Sequence, residues 1–308
     1  MTDKPEGRRP DDRRQANPDE HVPPGTPIRR GEDEMRVRAA IRDELEADAP
    51  THTQEVRAVA KREAARKVIA LQNVFLTFDQ PILKDVTFDA LGGETIVVAG
   101  ESGTGKSTIL KLLLRLLVPD KGQVFIDGEE ITQLNFADAL KVRQKMGMVF
   151  QGAALFDSMN VYENIAYPLR EHTDLSEDEI MARVREKLEF VDLDPDRVLE
   201  QLPSDLSGGM RKRVGIARGM ANNPQIMLYD EPTSGLDPLT TATITHLIIK
   251  LQRELGVTSV VVTHDIRSAF RMATKIAVLN ERKISFFGTP EEMASSADKY
   301  LRDFLGGF

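Results

Sequence analysis

The chain has 308 residues, 41% of them hydrophobic and 29% charged, and 41 Lys and Arg against 49 Asp and Glu leave a net charge of −8. With nothing electropositive dominating, a protein that binds nucleic acid by neutralising phosphates is disfavoured. The lack of cysteine excludes disulfides, thiolate catalysis and cysteine-based zinc or iron–sulfur sites, and it fits a reducing cytoplasm.

Residues 1–31 place Pro5, Pro10, Pro18, Pro23, Pro24 and Pro27 among mixed Asp, Glu and Arg. So little apolar surface predicts a disordered tail, and no apolar segment of a signal peptide is visible in it. Over 32–67 the composition shifts to Ala, Glu, Arg and Val, with Val37, Ile41 and Leu45 at helical spacing and Pro50 between two short helices. This stretch is a helical extension or linker, and both a solvated role and a docking role stay open.

The folded domain is expected over 68–308, with an inserted helical subdomain at about 152–222. Strand-like runs fall at 68–75, 82–88, 95–99, 123–126 and 147–150. The greasiest stretch, 109–118, is broken by Lys111 and Arg115 and is far short of the ~20 residues a membrane helix needs. Ser176 and Glu179 form a capping box ahead of Ile180, Val184, Leu188 and Val191, an apolar helical face. The β-branched or apolar runs 226–229 and 258–262 read as strands buried on both faces. Asp237–Pro238 and Thr289–Pro290 mark helix starts, the second completed as a box by Glu292. Alternating strands and helices predict an α/β fold with a mostly parallel sheet covered on both sides.

Residues 100–108 read GESGTGKST between a strand and a helix, matching G-x-x-x-x-G-K-[ST] in its required context. Gly100, Gly103 and Gly105 let the backbone curl its N–H groups around phosphate oxygens, and Glu101, Ser102, Thr104 and Thr108 complete the loop. Lys106 offers a point charge to the β- and γ-phosphates of ATP, and the Ser107 hydroxyl a ligand for Mg2+. Downstream, an apolar strand ends in Asp230 and Glu231. Asp230 is placed to hold Mg2+, and Glu231 to orient and deprotonate the attacking water. Between the two motifs, Ser207, Gly208 and Gly209 open a helix as a second anion site.

The run LSGGM at 206–210 resembles the LSGGQ signature of the ABC ATPases. The resemblance covers 68 to about 288 and implies a P-loop NTPase fold: a RecA-like core, an antiparallel β subdomain and an inserted helical subdomain. It also implies that Ser207–Gly209 seals the nucleotide held by a second copy of the chain. Residue by residue, it makes Gln151 a contact to Mg2+ and water, and His264 a switch residue on the γ-phosphate. It places Asp237 in a loop crossing the dimer interface and Phe78 on the adenine, although a core phenylalanine competes at that position. Met210 departs from the signature's final glutamine, and Glu101 sets a carboxylate near phosphates, turned to solvent.

The runs at 150–172, 207–224 and 228–238 resemble the ATPases of MCE-type lipid transporters, the maintenance-of-lipid-asymmetry systems. That implies an ATP-hydrolysing subunit driving phospholipid transport across a bacterial envelope. Its partners would be a membrane permease docking near 151–170 and, indirectly, an MCE-type lipid-binding subunit; its location would be the cytoplasmic face of the inner membrane. Leu155, Phe156, Met159 and Val161 are expected to be exposed for the permease, with helical-subdomain core as the competing role. The alternatives are a soluble ABC ATPase, as in cluster assembly, an importer ATPase for another cargo, or a regulatory subunit acting through 1–67.

Overall fold

The computed structural model describes residues 66–306. The expectations for 1–31 and, apart from Arg66 and Lys67, for 32–67 lie outside the described residues.

Two sheets organise the fold. β1 (Lys67–Thr77), β2 (Pro81–Leu91), β4 (Lys121–Ile126) and β5 (Glu129–Glu130) make an antiparallel sheet in the order β2-β1-β4-β5. The second contains β3 (Thr95–Ala99), β6 (Met146–Val149), β7 (Ile226–Asp230), β8 (Thr258–Thr263), β9 (Lys275–Asn280) and β10 (Lys283–Gly288). Its order is β10-β9-β3-β8-β7-β6, and every pair except the β9–β10 hairpin is parallel. The α/β class is as expected, including the antiparallel subdomain.

β3 and β8 are buried at every position, which is why they read as continuous apolar or β-branched runs. The period of two divides β3, β7 and β8 between two cores. Val97, Ala99, Met227, Tyr229 and Val261 face one, and Ile96, Val98, Leu228, Val260 and Val262 the other. The second core lies under the antiparallel sheet and α1 (Lys106–Leu113).

α1 stops earlier than the apolar pattern through 117 suggests. Leu114 caps it, Arg115 turns left-handed with φ 53°, and the Arg115 guanidinium donates to the carbonyls of Ile131 and Leu134 at 3.0 and 3.2 Å. A side chain that satisfies two distant carbonyls draws the backbone out of the helix. α2 (Phe136–Gln144) then leads to β6.

Between β6 and β7 lie α3 (Val161–His172), α4 (Glu177–Phe190), the short α5 (Pro195–Val198), a 3-10 turn at Pro203–Asp205, and α6 (Gly208–Gly219). The Ser176–Glu179 box caps α4, and Ile180, Val184, Leu188 and Val191 are buried as their spacing requires. α7 (Pro238–Leu255), α8 (Ile266–Met272), α9 (Pro290–Ala294) and α10 (Lys299–Gly306) complete the other layer, with Asp237 and Thr289 as caps.

α3 corrects the expectation of a uniformly exposed segment before it. Phe156 is 44% exposed, but Val161 is fully buried at the first position of α3, its N–H donating to Gln201 O at 2.9 Å, and Leu155 packs on the core. Asn164, wholly buried, explains the turn. Its carboxamide donates to the carbonyls of Phe156, Met159 and Asn160 and accepts from Phe156 N–H, so these four backbone groups are satisfied without solvent.

β6 and α6 approach without room for a side chain. A Cβ on Gly147 would sit 2.1 Å from Gly219 O and 2.3 Å from Met227 Sδ. Because a backbone carbonyl cannot step aside, Gly147→Ala is expected to cost about 2–3 kcal/mol, read as a lowered thermal midpoint against the parent chain.

Candidate active site

Parallel pairing lines up four loops at the carboxyl edge of the second sheet, where open α/β sheets bind ligands. Ala99 pairs with Thr263, Val262 with Asp230, and Tyr229 with Val149. At about 4.8 Å per strand, the loops beginning at Gly100, His264, Glu231 and Phe150 therefore open side by side.

The 100–108 loop takes its shape from its glycines. Gly105 sits at φ 104°, and a Cβ there would meet Ile82 and Leu83 at 3.1–3.2 Å. Gly103 at φ 80° faces open space. Lys106 is 6% exposed and its ammonium donates to the carbonyls of Gly100 and Glu101, both at 2.8 Å. Burial lowers its pKa, and the negative charges of Glu231 and Asp230 act against that shift. Thr104 Oγ1 donates to Glu101 O at 2.9 Å, steadying the loop, while Glu101, Ser102 and Gly103 are exposed, Glu101 as expected.

Opposite Lys106 stand the two carboxylates. Ser107 Oγ donates to Asp230 Oδ1 at 2.8 Å, so two of the three residues expected to contact Mg2+, all but Gln151, are together. Glu231 is 13% exposed and has φ 48°, a strained conformation for a non-glycine that is common at functional positions. Its carboxylate lies 3.8 Å from Lys106 Nζ, 2.9 Å from His264 Nδ1 and 3.3 Å from Thr263 Oγ1. His264, half exposed, thus pairs with Glu231, and its backbone N–H also points at that carboxylate at 3.4 Å.

Gln151 reaches this group through Ser234, donating Nε2 to Ser234 Oγ at 3.3 Å. Asp237 caps α7, accepting from Leu239 and Thr240 N–H at 3.0 Å and from Thr240 Oγ1 at 2.5 Å. Ser207 caps α6 through Met210 N–H at 3.2 Å. Gly209 abuts Thr240 and Gly208 faces Leu236, so the signature turn packs on the loop containing Asp237. Thr108 lies within α1, on the turn after Lys106. Phe78 is 57% exposed in the turn between β1 and β2, which removes the competing role of a core ring. Sequence reasoning noted Ser234 only within the run 234–237, Thr263 only beside His264 and Lys212 only within the basic run after Met210, and gave none of the three a role of its own.

The donor set fits Mg2+ with a triphosphate. A hydroxyl and one carboxylate are hard oxygen ligands, and Mg2+ takes its remaining partners from water and phosphate. Among the described residues no cluster of three acidic, His or Cys side chains offers a closed protein cage. The open space at Gly103, in a loop whose Lys106 ammonium is held by the Gly100 and Glu101 carbonyls, suits a phosphate.

Comparisons with known proteins agree with this geometry. The ABC transporter family profile matches residues 83–234. The "Probable ribonucleotide transport ATP-binding protein mkl" of Mycobacterium leprae is 42% identical over 226 residues, 73% of this chain and 65% of that protein. This chain therefore spans just under two thirds of that relative's length. The "Intermembrane phospholipid transport system ATP-binding protein MlaF" of Haemophilus influenzae is 36% identical over 243 residues, 79% of this chain and 91% of that protein. A dimeric post-hydrolysis structure of the ATP-binding cassette MJ0796, bound to ADP and Pi, superposes with a TM-score of 0.67 at 36% identity, covering 72% of this chain and 98% of that one. A match along nearly the whole of two such proteins, on the fold and the loop order described here, means that this chain belongs to the ABC transporter family.

Proposed function

We propose that the chain is the ATP-hydrolysing subunit of an ABC transporter that moves phospholipid across a bacterial cell envelope. The observation that carries the hydrolytic part is the meeting of Lys106, Ser107, Asp230, Glu231 and His264 on one sheet edge. The lipid part rests on likeness to a protein named for intermembrane phospholipid transport.

Loop 100–108 grips the triphosphate, Lys106 exchanging its two carbonyl acceptors for phosphate oxygens. Ser107 and Asp230, together with Gln151, would hold Mg2+, which would supply neutralisation of phosphate charge. Glu231 takes a proton from the attacking water, and His264, freed from Glu231, steadies the γ-phosphate. Phe78 stacks on adenine. Ser207, Gly208 and Gly209 of a second copy close over the nucleotide, with Asp237 in the loop behind them, so ATP joins two copies and hydrolysis lets them part.

Closure performs work on a separate permease that seats near 151–170, where Phe156 and Tyr167, both exposed, pack edge-on at 5.3 Å. An MCE-type subunit receives or supplies the lipid. Attachment to the inner face of the inner membrane runs through that permease; no helix among the described residues is long and apolar enough to cross a membrane. The domain spans 68–308, with its helical subdomain at about 152–222, behind the tail 1–31 and the extension 32–67.

The likeness to a protein named for ribonucleotide transport favours a second cargo. The complex, purified in detergent through this chain and reconstituted with its permease, decides between them. Expected are co-purifying phospholipid by mass spectrometry and ATPase stimulation by lipid vesicles; stimulation by ribonucleotides other than ATP without bound lipid contradicts the lipid assignment.

A further inference from the structure

The signature helix carries a charge that the hydrolytic scheme does not use. Of the basic run after Met210, Arg211 donates to Leu206 O at 2.6 Å and Arg213 to Asp192 O at 2.8 Å, both bracing the helical subdomain. Lys212 turns the other way. It is 6% exposed, and its ammonium donates to two main-chain carbonyls, those of Gln151, in a short contact, and Glu231, at 3.3 Å. It has no ion pair among the described residues. Burying an ammonium costs several kcal/mol unless the acceptors repay it, so a fold seeking stability alone gains more from an apolar side chain here. Burial lowers its pKa, and the charges of Glu231 and Asp230 oppose that, so the ammonium also belongs to the field of the site.

The two acceptors are not arbitrary. One belongs to the residue expected to contact the attacking water, the other to its expected general base. Glu231 itself is strained, at φ 48°, and Ala153 and Ala154, two and three residues after Gln151, have φ 63° and 48°. α6 grips that second segment along one face. A Cβ on Gly215 would lie 3.1 Å from Ala153 Cβ, and Arg218 donates to the carbonyls of Ala153 and Ala154 at 3.0 and 2.8 Å. Gly215 follows Lys212 by three residues and Arg218 follows Gly215 by three, so each shares a helix face with the one before it.

We infer that Lys212 is a positioning residue that ties the Gln151 and Glu231 carbonyls to one point of α6 and so sets the side chains flanking the attacking water, without touching the nucleotide. This rests on the hydrolytic function proposed above. It gives α6, whose first turn is the serine–glycine anion site, a rigid connection to the chemistry in its own subunit.

The test compares Lys212→Met, which keeps the length and removes the donors, with Lys212→Arg, which keeps charge and donors. Both are made in the full chain and assayed with Mg·ATP. Lys212→Met is expected to lower kcat about tenfold or more while KM and the Kd for a fluorescent ATP analogue stay within about twofold, and Lys212→Arg to recover kcat to within about threefold of wild type. Lys212→Met matching wild type, KM and Kd rising as kcat falls, or Lys212→Arg falling as far as Lys212→Met each overturns the assignment. If Lys212→Met does not fold by thermal melting, Lys212→Gln takes its place, and unchanged kcat in it overturns the assignment equally. A wild-type chain without turnover contradicts the hydrolytic function and this inference together, whereas an active Lys212→Met contradicts only the latter.

Discussion

Glu231→Gln is expected to lower ATP turnover by about 10²–10⁴-fold while nucleotide affinity stays within about threefold. The substitution keeps the shape of a side chain that is 13% exposed and bonded to His264 and Thr263. It removes the negative charge and, with it, the basicity. An amide cannot accept the proton of an attacking water, while the loop that holds the phosphates, which follows β3 with β8 between it and β7, is unaltered. Steady-state phosphate release and equilibrium binding on the same preparation check the two halves. Turnover within a few fold of the parent would remove Glu231 from the role of base and leave His264 as the group to examine.

Lys106→Ala is expected to fail at the other step, weakening ATP binding by about 100-fold or more and carrying hydrolysis down with it. The ammonium is already desolvated and aimed into the loop, held by the carbonyls of Gly100 and Glu101. A charge-assisted hydrogen bond to phosphate is worth about 1.5–3 kcal/mol, and Lys106 is positioned to make two. Retained ATP affinity in this variant, measured by calorimetry, would mean that the triphosphate lies elsewhere. The pair of variants separates gripping from cleaving: one loses both, the other only chemistry.

The parts of the fold that were legible are those where one local rule decides. β3 and β8 declare themselves because both faces are buried, and α4 because its apolar spacing and its Ser176–Glu179 box agree. The phosphate loop, Asp230 and Glu231 were legible because motif and strand order determine their neighbours. α3 was not, since Pro168 sits inside it and its entry depends on Asn164, a polar residue whose value appears only once it is buried against Phe156 and Met159. The end of α1 depends on carbonyls 16 and 19 residues away from Arg115. Lys212 was hidden for the same reason: in a basic run a lysine reads as solvated, and only the approach of two loops makes it internal.

The account depends most on ATP joining two copies of the chain, and the molar mass of the Glu231→Gln protein in solution addresses that directly. Static light scattering with Mg·ATP is predicted to give twice the 34.4 kDa of the chain, and the monomer mass with ADP. A monomer that binds ATP at saturation and does not pair contradicts the account.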